Sequence, residues 1–423
     1  MAATATQREP TMPHAAKPEG PPPEGAPPAA ARLRLKALLT GPFWGLGFRP
    51  FFLLASVVGA VAIGHWVAVQ TGQLAAPRSL PPAIWHGHEM IQGFAVAVIA
   101  GFVLTASQNW TGIRGVNGPR LQALAGLWLL GRVLLWTLPG PSLLAALADL
   151  AFLPLLAWAL APYLVPPAQR RNRVFLGFFA LLFLGNLLLH LDALGVWPGM
   201  ARAGLRLSVY AVLLVIVLIG GRVIPFFSRN LIPGGGIVVR PRVEALAHLT
   251  ALALLPTAFL PEDSPLAVAV GLAAAVAHGA RWAGWFTRPV LRTPILWVLY
   301  AGYLWIVVGF LLTGLRPWLG MQSMGYSLAT LHAFTVGGIG VTTFGMMTRI
   351  ALGHTGRPIR AARAIVSGYA LVNLAALARV VPPLLDPAWH TPSVVAAGAL
   401  WVAAFLLLAL RFAPILLQPR EAA

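Results

Sequence analysis

The sequence predicts an all-α integral membrane protein with about twelve transmembrane helices and both termini in the cytoplasm. Three observations support this fold class. Charged residues make up 10% of the 423 residues and hydrophobic residues 58%, whereas about 25% of a typical soluble domain is charged. The apolar residues form runs of the length that crosses a bilayer. The arginines are concentrated in alternate loops between these runs, which is typical of membrane topology.

Composition divides the chain into two regions. Residues 1–40 are rich in proline and alanine and bury too little apolar surface to offset the entropy of ordering, so we expect a disordered cytoplasmic tail. Residues 41–423 form the predicted polytopic membrane domain. The chain contains no cysteine, so any metal that it binds must be held by histidine, methionine, carboxylate or backbone groups.

The apolar runs give the predicted helices in order. A spanning helix needs about 20 mostly apolar residues. Twelve segments meet or approach that length, and because the third and seventh are short, eleven spans remain an alternative. The segments are 50–70, 84–106, 121–137, 142–164, 173–195, 205–229, 244–260, 264–286, 294–315, 325–350, 361–381 and 392–416.

The distribution of arginine predicts the orientation. Fourteen arginines lie in the loops after even-numbered spans and four in the loops after odd-numbered spans. Positive loops stay in the cytoplasm, so the even-numbered loops and both termini are predicted to be cytoplasmic. The net charge of +19 is then explained by topology, and it does not indicate a nucleic acid partner.

Ionisable side chains within the spans are costly and therefore mark contacts or sites. A first group lies toward the outer side: His65, His86, His88, Glu89, Arg132, Asp149, His190, Asp192, His332 and Arg379. A second group is cytoplasmic: Arg222, His248, His278 and His354. Imidazole is the commonest protein ligand for metals, and a carboxylate usually orients it, so the outer group predicts a metal site. The alternative is that each histidine hydrogen-bonds to a neighbouring helix.

The run Trp85-His86-Gly87-His88-Glu89-Met90 contains two of the outer histidines. Pro81 and Pro82 favour a helix start near residue 82. Two positions then correspond to about 200° of rotation, which puts the histidines on opposite faces and predicts two separate roles for them. By the same spacing, Glu89 shares a face with His86.

Glycines accompany two further polar residues. His332 precedes Gly337, Gly338 and Gly340, and glycines at this spacing allow either another helix or a flat macrocycle to approach the backbone. Arg222 follows Gly220 and Gly221, and two interpretations of it remain open: it pairs with a cofactor carboxylate or with helix-terminal carbonyl groups.

At these residues the chain resembles the NnrS family of bacterial membrane proteins, which is associated with the response to nitric oxide. The matching stretches are GFRPFF at 47–52, WHGHEM at 85–90, GFVLTASQNWTG at 101–112, GGRVIPFF at 220–227, LHAFTVGGIG at 331–340 and MMTRIALGHTGRP at 346–358. The resemblance implies twelve helices in the bacterial cytoplasmic membrane, with haem (non-covalent and b-type) and copper as cofactors.

The resemblance also implies site residues. The metal-ligand candidates are His86, His88, His190, His332 and His354. Their candidate neighbours, which orient them or bind a cofactor carboxylate, are Glu89, Arg222 and Arg49, and Arg132 of the outer group is added to these from its depth in the membrane. Nitric oxide or an iron–nitrosyl species is the implied ligand. The motifs do not assign iron and copper to particular histidines.

The leading hypothesis is therefore a haem- and copper-binding membrane protein that acts in nitric oxide tolerance. One alternative is a proton-coupled secondary transporter without a metal cofactor, in which the buried ionisable residues carry the proton. Another is a cofactor-free scaffold that binds a partner through its arginine-rich loops. Enzymatic turnover stays open, because the chain has no electron-entry motif and reduction would need quinol or an external donor.

Overall fold

The computed structural model describes residues 40–319 and 324–421. The predicted tail lies outside these residues, apart from its last position. In the described ranges twelve long helices follow one another, as predicted. They are α1 (Phe48–Gln70), α2 (Pro82–Thr111), α3 (Gly118–Thr137), α4 (Leu143–Leu164), α5 (Val174–Ala193), α6 (Ala201–Leu231), α7 (Pro241–Thr257), α8 (Pro265–Trp285), α9 (Pro294–Leu315), α10 (Met324–His354), α11 (Arg363–Leu385) and α12 (Pro387–Leu417).

Ten of these helices are long and apolar enough to cross a membrane. The other two are α3, which includes Arg120 and Arg132, and α7, which has 17 residues. These are the two spans that the sequence marks as short. The all-α membrane fold is therefore confirmed, whereas the cytoplasmic location of the termini stays a prediction. We use "outer end" for the end of the bundle that holds the loops after odd-numbered helices.

Three helices, α2, α6 and α10, form the interior of the bundle and contact one another. They are also the most buried of the ten, with 83%, 67% and 67% of their apolar windows buried. The small residues of α2, such as Ala97 and Gly101, allow neighbouring helices to approach it closely. Around this interior, α12 packs against both α1 and α11, so the first and last helices are neighbours.

Two of the interior helices widen into π-helix. The π segments are Glu89–Ala95 in α2 and Ala333–Val341 in α10, and each begins directly after a histidine. π segments within α-helices are frequent at functional sites. A Cβ atom at Gly337 would collide with Trp305, and one at Gly340 would collide with Trp401. These glycines therefore allow side chains of neighbouring helices to pack closely against α10. Of the two roles that the sequence leaves open for them, this is the approach of another helix.

Helix α4 is interrupted at Ala151, between the pieces Leu143–Leu150 and Phe152–Leu164. Pro154 accounts for the interruption, because proline lacks an N–H group and its ring excludes the carbonyl group of the residue four positions earlier, here Leu150. The interruption follows Asp149 directly. Asp149 is buried, so its carboxylate needs partners inside the bundle.

Candidate functional site

Two neighbouring groups of polar side chains occupy the outer end of the bundle. The first, here called the ion cluster, is defined by His88, Glu89, Arg132, Asp149, Asn186 and His190. The second, here called the histidine pair, consists of His86 and His332. Because His86 and His88 are two residues apart in α2, this helix contributes to both groups.

The local structure of α2 separates the two groups. The helix begins at Pro82 with Pro81 at its N-cap, as the sequence predicts. His88 is fully buried and contacts α4 and α5, whereas His86 contacts Trp66 of α1 and His332 of α10. The predicted opposite orientation of the two histidines is confirmed.

The predicted position of Glu89 is wrong. Its carboxylate lies with His88, at 3.1 Å from His88 Nδ1 to Glu89 Oε1, and not on the face of His86. Trp136 Nε1 donates to the other oxygen, Glu89 Oε2, at 3.0 Å. The physical reason is that α2 changes from α-helix to π-helix at this residue, so the regular 3.6-residue spacing does not continue through it.

Asp149 is the centre of the ion cluster. Its Oδ1 accepts from Arg132 Nη2, and its Oδ2 lies 3.0 Å from His88 Nε2 and 3.0 Å from His190 Nε2. Asn186 Nδ2 donates to the same Oδ2 at 2.7 Å. Arg132 Nε is also 3.4 Å from Glu89 Oε1. One buried carboxylate thus connects α2, α3, α4 and α5.

The hydrogen bonds define the charge of the ion cluster. Because Asn186 donates its Nδ2 to Asp149, the atom that it turns toward His88 Nε2 is its oxygen, at 3.0 Å. Both nitrogens of His88 therefore face acceptor oxygens, and the contacts are satisfied when both nitrogens carry a proton. The cluster then holds two carboxylates and two cations, His88 and Arg132, and is neutral overall.

The same cluster also has the spacing of a metal site. Ligand atoms of His88, Asp149 and His190 all lie within 4.8 Å of one another. Two imidazoles and a carboxylate suit transition metals. Imidazole nitrogens with one carboxylate oxygen are a donor set that copper accepts, as do other first-row metals such as zinc.

The histidine pair has a different geometry. The rings of His86 and His332 are within 17° of parallel, and their centroids are 6.5 Å apart. Trp66 stacks on His86 with centroids 4.6 Å apart. Among the described residues, the buried Nδ1 of His86 has no hydrogen-bond partner. His332 Nδ1 lies 2.6 Å from the carbonyl oxygen of Leu328, so Nδ1 donates and the lone pair of the ring is on Nε2.

This geometry fits a metal ion held between the two rings. Two imidazole nitrogens, each about 2 Å from one ion, put the ring centroids roughly 6 Å apart. A carbonyl group that accepts from the other ring nitrogen is the usual support of a metal-bound histidine, and Leu328 supplies it to His332. The unpartnered Nδ1 of His86 and the lone pair on His332 Nε2 are the two nitrogen atoms that would hold such an ion.

Three of the predicted site residues lie in neither group. His354 ends α10, about 33 Å along the helix from His332 at 1.5 Å per residue, and its ring packs near Phe48. Arg49 donates to the carbonyl oxygens of Leu416 and Gln418 at the end of α12. Arg222 donates to Asn172 and to the carbonyl oxygen of Arg171, so it meets a side-chain amide and a backbone carbonyl in the described residues.

Sequence reasoning missed Asn186, and it placed Asp149 in the outer polar group without naming it as a ligand candidate. A signal for Asn186 exists, because it precedes His190 by four positions and so shares its face of α5. For Asp149, the sequence indicates that the residue lies within the membrane. It does not indicate that the carboxylate contacts side chains from α2, α3 and α5.

The predicted cytoplasmic group does not assemble into one site either. His278 Nδ1 is 2.6 Å from the hydroxyl oxygen of Tyr303, and this hydroxyl also accepts from Arg281 at 2.8 Å. Arg281 forms an ion pair with Glu244. His248 Nδ1 instead lies 2.6 Å from the carbonyl oxygen of Glu244 in its own helix. These contacts join α7, α8 and α9.

Comparison with known proteins agrees with this architecture. No curated protein matches the chain. A family profile described as "NnrS protein" matches residues 42–420, which include all twelve helices up to the end of α12. Because this match covers nearly the whole sequence, the chain belongs to the NnrS family, and it is a multi-pass membrane protein of the nitric oxide response.

Proposed function

We propose that this protein binds haem through His86 and His332 and copper through the ion cluster, and that it acts in nitric oxide tolerance in the bacterial cytoplasmic membrane. The observation that carries the proposal is the histidine pair, with its parallel rings, its 6.5 Å spacing and the unpartnered Nδ1 of His86. Family membership supports the association with nitric oxide.

The two groups suit different cofactors. The histidine pair offers one imidazole nitrogen from each of two helices, and these two residues would hold haem iron. The ion cluster holds three ligand atoms within 4.8 Å of one another on adjacent helices, which suits a single ion. His88, Asp149 and His190 would hold copper, with Arg132 balancing the charge of the carboxylates.

When bound, haem iron supplies a coordination position for nitric oxide. His86 would be held less firmly than His332, because no hydrogen bond among the described residues anchors its ring, whereas the Leu328 carbonyl anchors His332. Trp66, which stacks on His86, would limit the movement of this ring.

The test is an absorption spectrum with metal analysis on protein purified in detergent from haem-replete cells. We expect a Soret band in the wild type that is lost in His86→Ala and in His332→Ala. We expect His88→Ala and Asp149→Asn to keep the haem band and to lose copper. His248→Ala is the matched control, since its ring bonds only to its own helix among the described residues.

Each result separates the parts of the proposal. A colourless wild type would overturn the haem assignment. A Soret band in both His86→Ala and His332→Ala would mean that haem does not bind at the histidine pair. Copper that is still bound in Asp149→Asn would mean that copper does not bind at the ion cluster. Growth of the same variants under nitric oxide then tests the link between cofactor and tolerance.

The ion cluster also favours a second candidate function. A buried, neutral network in which both ring nitrogens of His88 carry a proton is the kind of group that carries protons in secondary transporters. A transporter without metal cofactor would purify colourless and free of copper. It would acidify or alkalinise the lumen of proteoliposomes when its substrate is supplied, and Asp149→Asn would abolish this proton movement.

A further inference from the structure

One buried arginine at the outer end of the bundle has no counter-ion among the described residues. Arg379 in α11 is only 6% exposed, and its Nη1 has no hydrogen-bond partner among the described residues. No ion pair among these residues includes it. An unpaired charge in such a position is strongly destabilising unless a ligand compensates it.

The other buried arginines of the described chain are compensated. Arg132 and Arg281 pair with carboxylates, and Arg49 donates to two carbonyl oxygens. Arg349 lies over the ring of Phe227, with 3.5 Å from Cζ to the centroid. Arg379 differs from all four because the described residues offer it neither an acceptor nor an aromatic face.

The positive charge of Arg379 has no negatively charged partner among the described residues. Helix α11, which carries Arg379, packs against the segment Met324–His332 of α10, which ends at one member of the histidine pair. The carboxylate of Asp386, seven residues later in the chain, accepts instead from the backbone N–H of Ala388. Residues 320–323, which the structure does not describe, include no acidic residue.

We propose that Arg379 binds a carboxylate of the group held by His86 and His332, which for haem is a propionate. This inference rests on the proposed function. A guanidinium donates two parallel hydrogen bonds to a carboxylate, so the contact would orient the macrocycle as well as neutralise the buried charge. Arg379 thereby takes the role of carboxylate partner that the sequence offered to Arg222, Arg132 and Arg49, all of which have other partners here.

The test compares haemin with its dimethyl ester, in which both propionates are blocked. Protein purified from haem-depleted cells is titrated with each compound and followed by the Soret band. We expect the wild type to bind haemin about tenfold or more tightly than the ester, as for a charge-assisted hydrogen bond. Arg379→Gln should bind the two equally. It should also have a lower midpoint potential with haemin, because removal of a positive charge favours the oxidised iron.

Two further variants serve as controls for the proposed contact between Arg379 and a carboxylate. Arg379→Lys keeps the charge without the paired donors and should retain part of the preference for haemin. Arg316→Gln removes an outer-end arginine that pairs with Glu262, and it should keep the full preference. If Arg379→Gln fails to fold, the proposal is tested by the titrations of Arg379→Lys and of the wild type with haemin and with its dimethyl ester.

The outcomes distinguish this inference from the proposed function. A wild type that binds neither compound would overturn both. A wild type that binds haemin and the ester equally would overturn only the role of Arg379, since the anion would then come from elsewhere, such as a lipid headgroup. An Arg379→Gln protein that prefers haemin over the ester as strongly as the wild type does would also overturn only the role of Arg379.

Discussion

His88 and His190 share one carboxylate oxygen, Asp149 Oδ2, which lies 3.0 Å from a ring nitrogen of each. The two histidines come from α2 and α5, and the oxygen between them comes from the interrupted helix α4. A single atom thus contacts side chains from two other helices at the outer end. The variants below test this contact and others through the stability of the protein.

Asp149→Asn should destabilise the protein strongly. The substitution removes a buried charge and leaves Arg132 and His88 with one carboxylate, Glu89, between them. Breaking a buried ion pair by removing one partner costs about 3–5 kcal/mol. Thermal unfolding in detergent should therefore show a clearly lower midpoint than for Asp263→Asn, a substitution at an exposed loop position. Equal midpoints would mean that the ion cluster contributes nothing to stability.

Replacement of the Arg132–Asp149 pair by apolar residues should be less harmful than the single substitution. In the double variant Arg132→Met/Asp149→Leu, the remaining charges are His88 and Glu89, which are 3.1 Å apart and balance each other. Apolar replacement of a complete buried pair is often close to neutral. We expect the unfolding midpoint of the double variant to lie above that of Asp149→Asn. The reverse order would contradict the charge assignment given to His88.

Gly340→Ala should destabilise the bundle by about 1–3 kcal/mol through overpacking. Its new methyl group would collide with the ring of Trp401, which is itself buried against α1 and α10. Gly126→Ala is the matched control, because nothing lies within 4 Å of a Cβ at that helical position. That control should raise stability slightly, since glycine costs about 0.5–1 kcal/mol relative to alanine within a helix. Thermal unfolding of both variants measures the difference.

Glu244→Gln should lower stability far more than Glu262→Gln. Glu244 pairs with Arg281, which is buried and also donates to Tyr303 and to the carbonyl oxygen of Val217. Glu262 pairs with Arg316 at an exposed position, where such pairs contribute little. If both substitutions lower the unfolding midpoint equally, burial does not decide the strength of these pairs.

The predicted orientation can be measured with single cysteines, because the chain has none of its own. Asp263→Cys lies in the loop after α7, and Arg171→Cys lies in the loop after α4, and both positions are exposed. In intact spheroplasts, a membrane-impermeant maleimide should label the first variant and not the second. Labelling of Arg171→Cys alone would mean that the topology is the inverse of the predicted one and that the site lies on the cytoplasmic side.

The sequence predicts the helices better than it predicts the site. The order and number of helices follow from apolar length, and the opposite orientation of His86 and His88 follows from helical spacing within one segment. The partnership of His88 with Asn186 and Asp149 depends on which helices are neighbours, and spacing along a single helix carries no information about this. The isolation of Arg379 is likewise visible only once its neighbours are known.

The π segments also affect how substitutions near the site should be designed. A π turn holds about one residue more than an α turn, so each segment is equivalent to a single-residue insertion in a regular helix. Deletion of one residue from Ala333–Val341 would let this part of α10 close into a regular α-helix, with the turns on either side keeping their faces. The imidazole of His332 would then stay opposite His86, whereas the same deletion in a regular part of the helix would rotate one side against the other by about 100°. The π segments are therefore the places where these two helices can lose one residue with the least effect on the packing of the bundle.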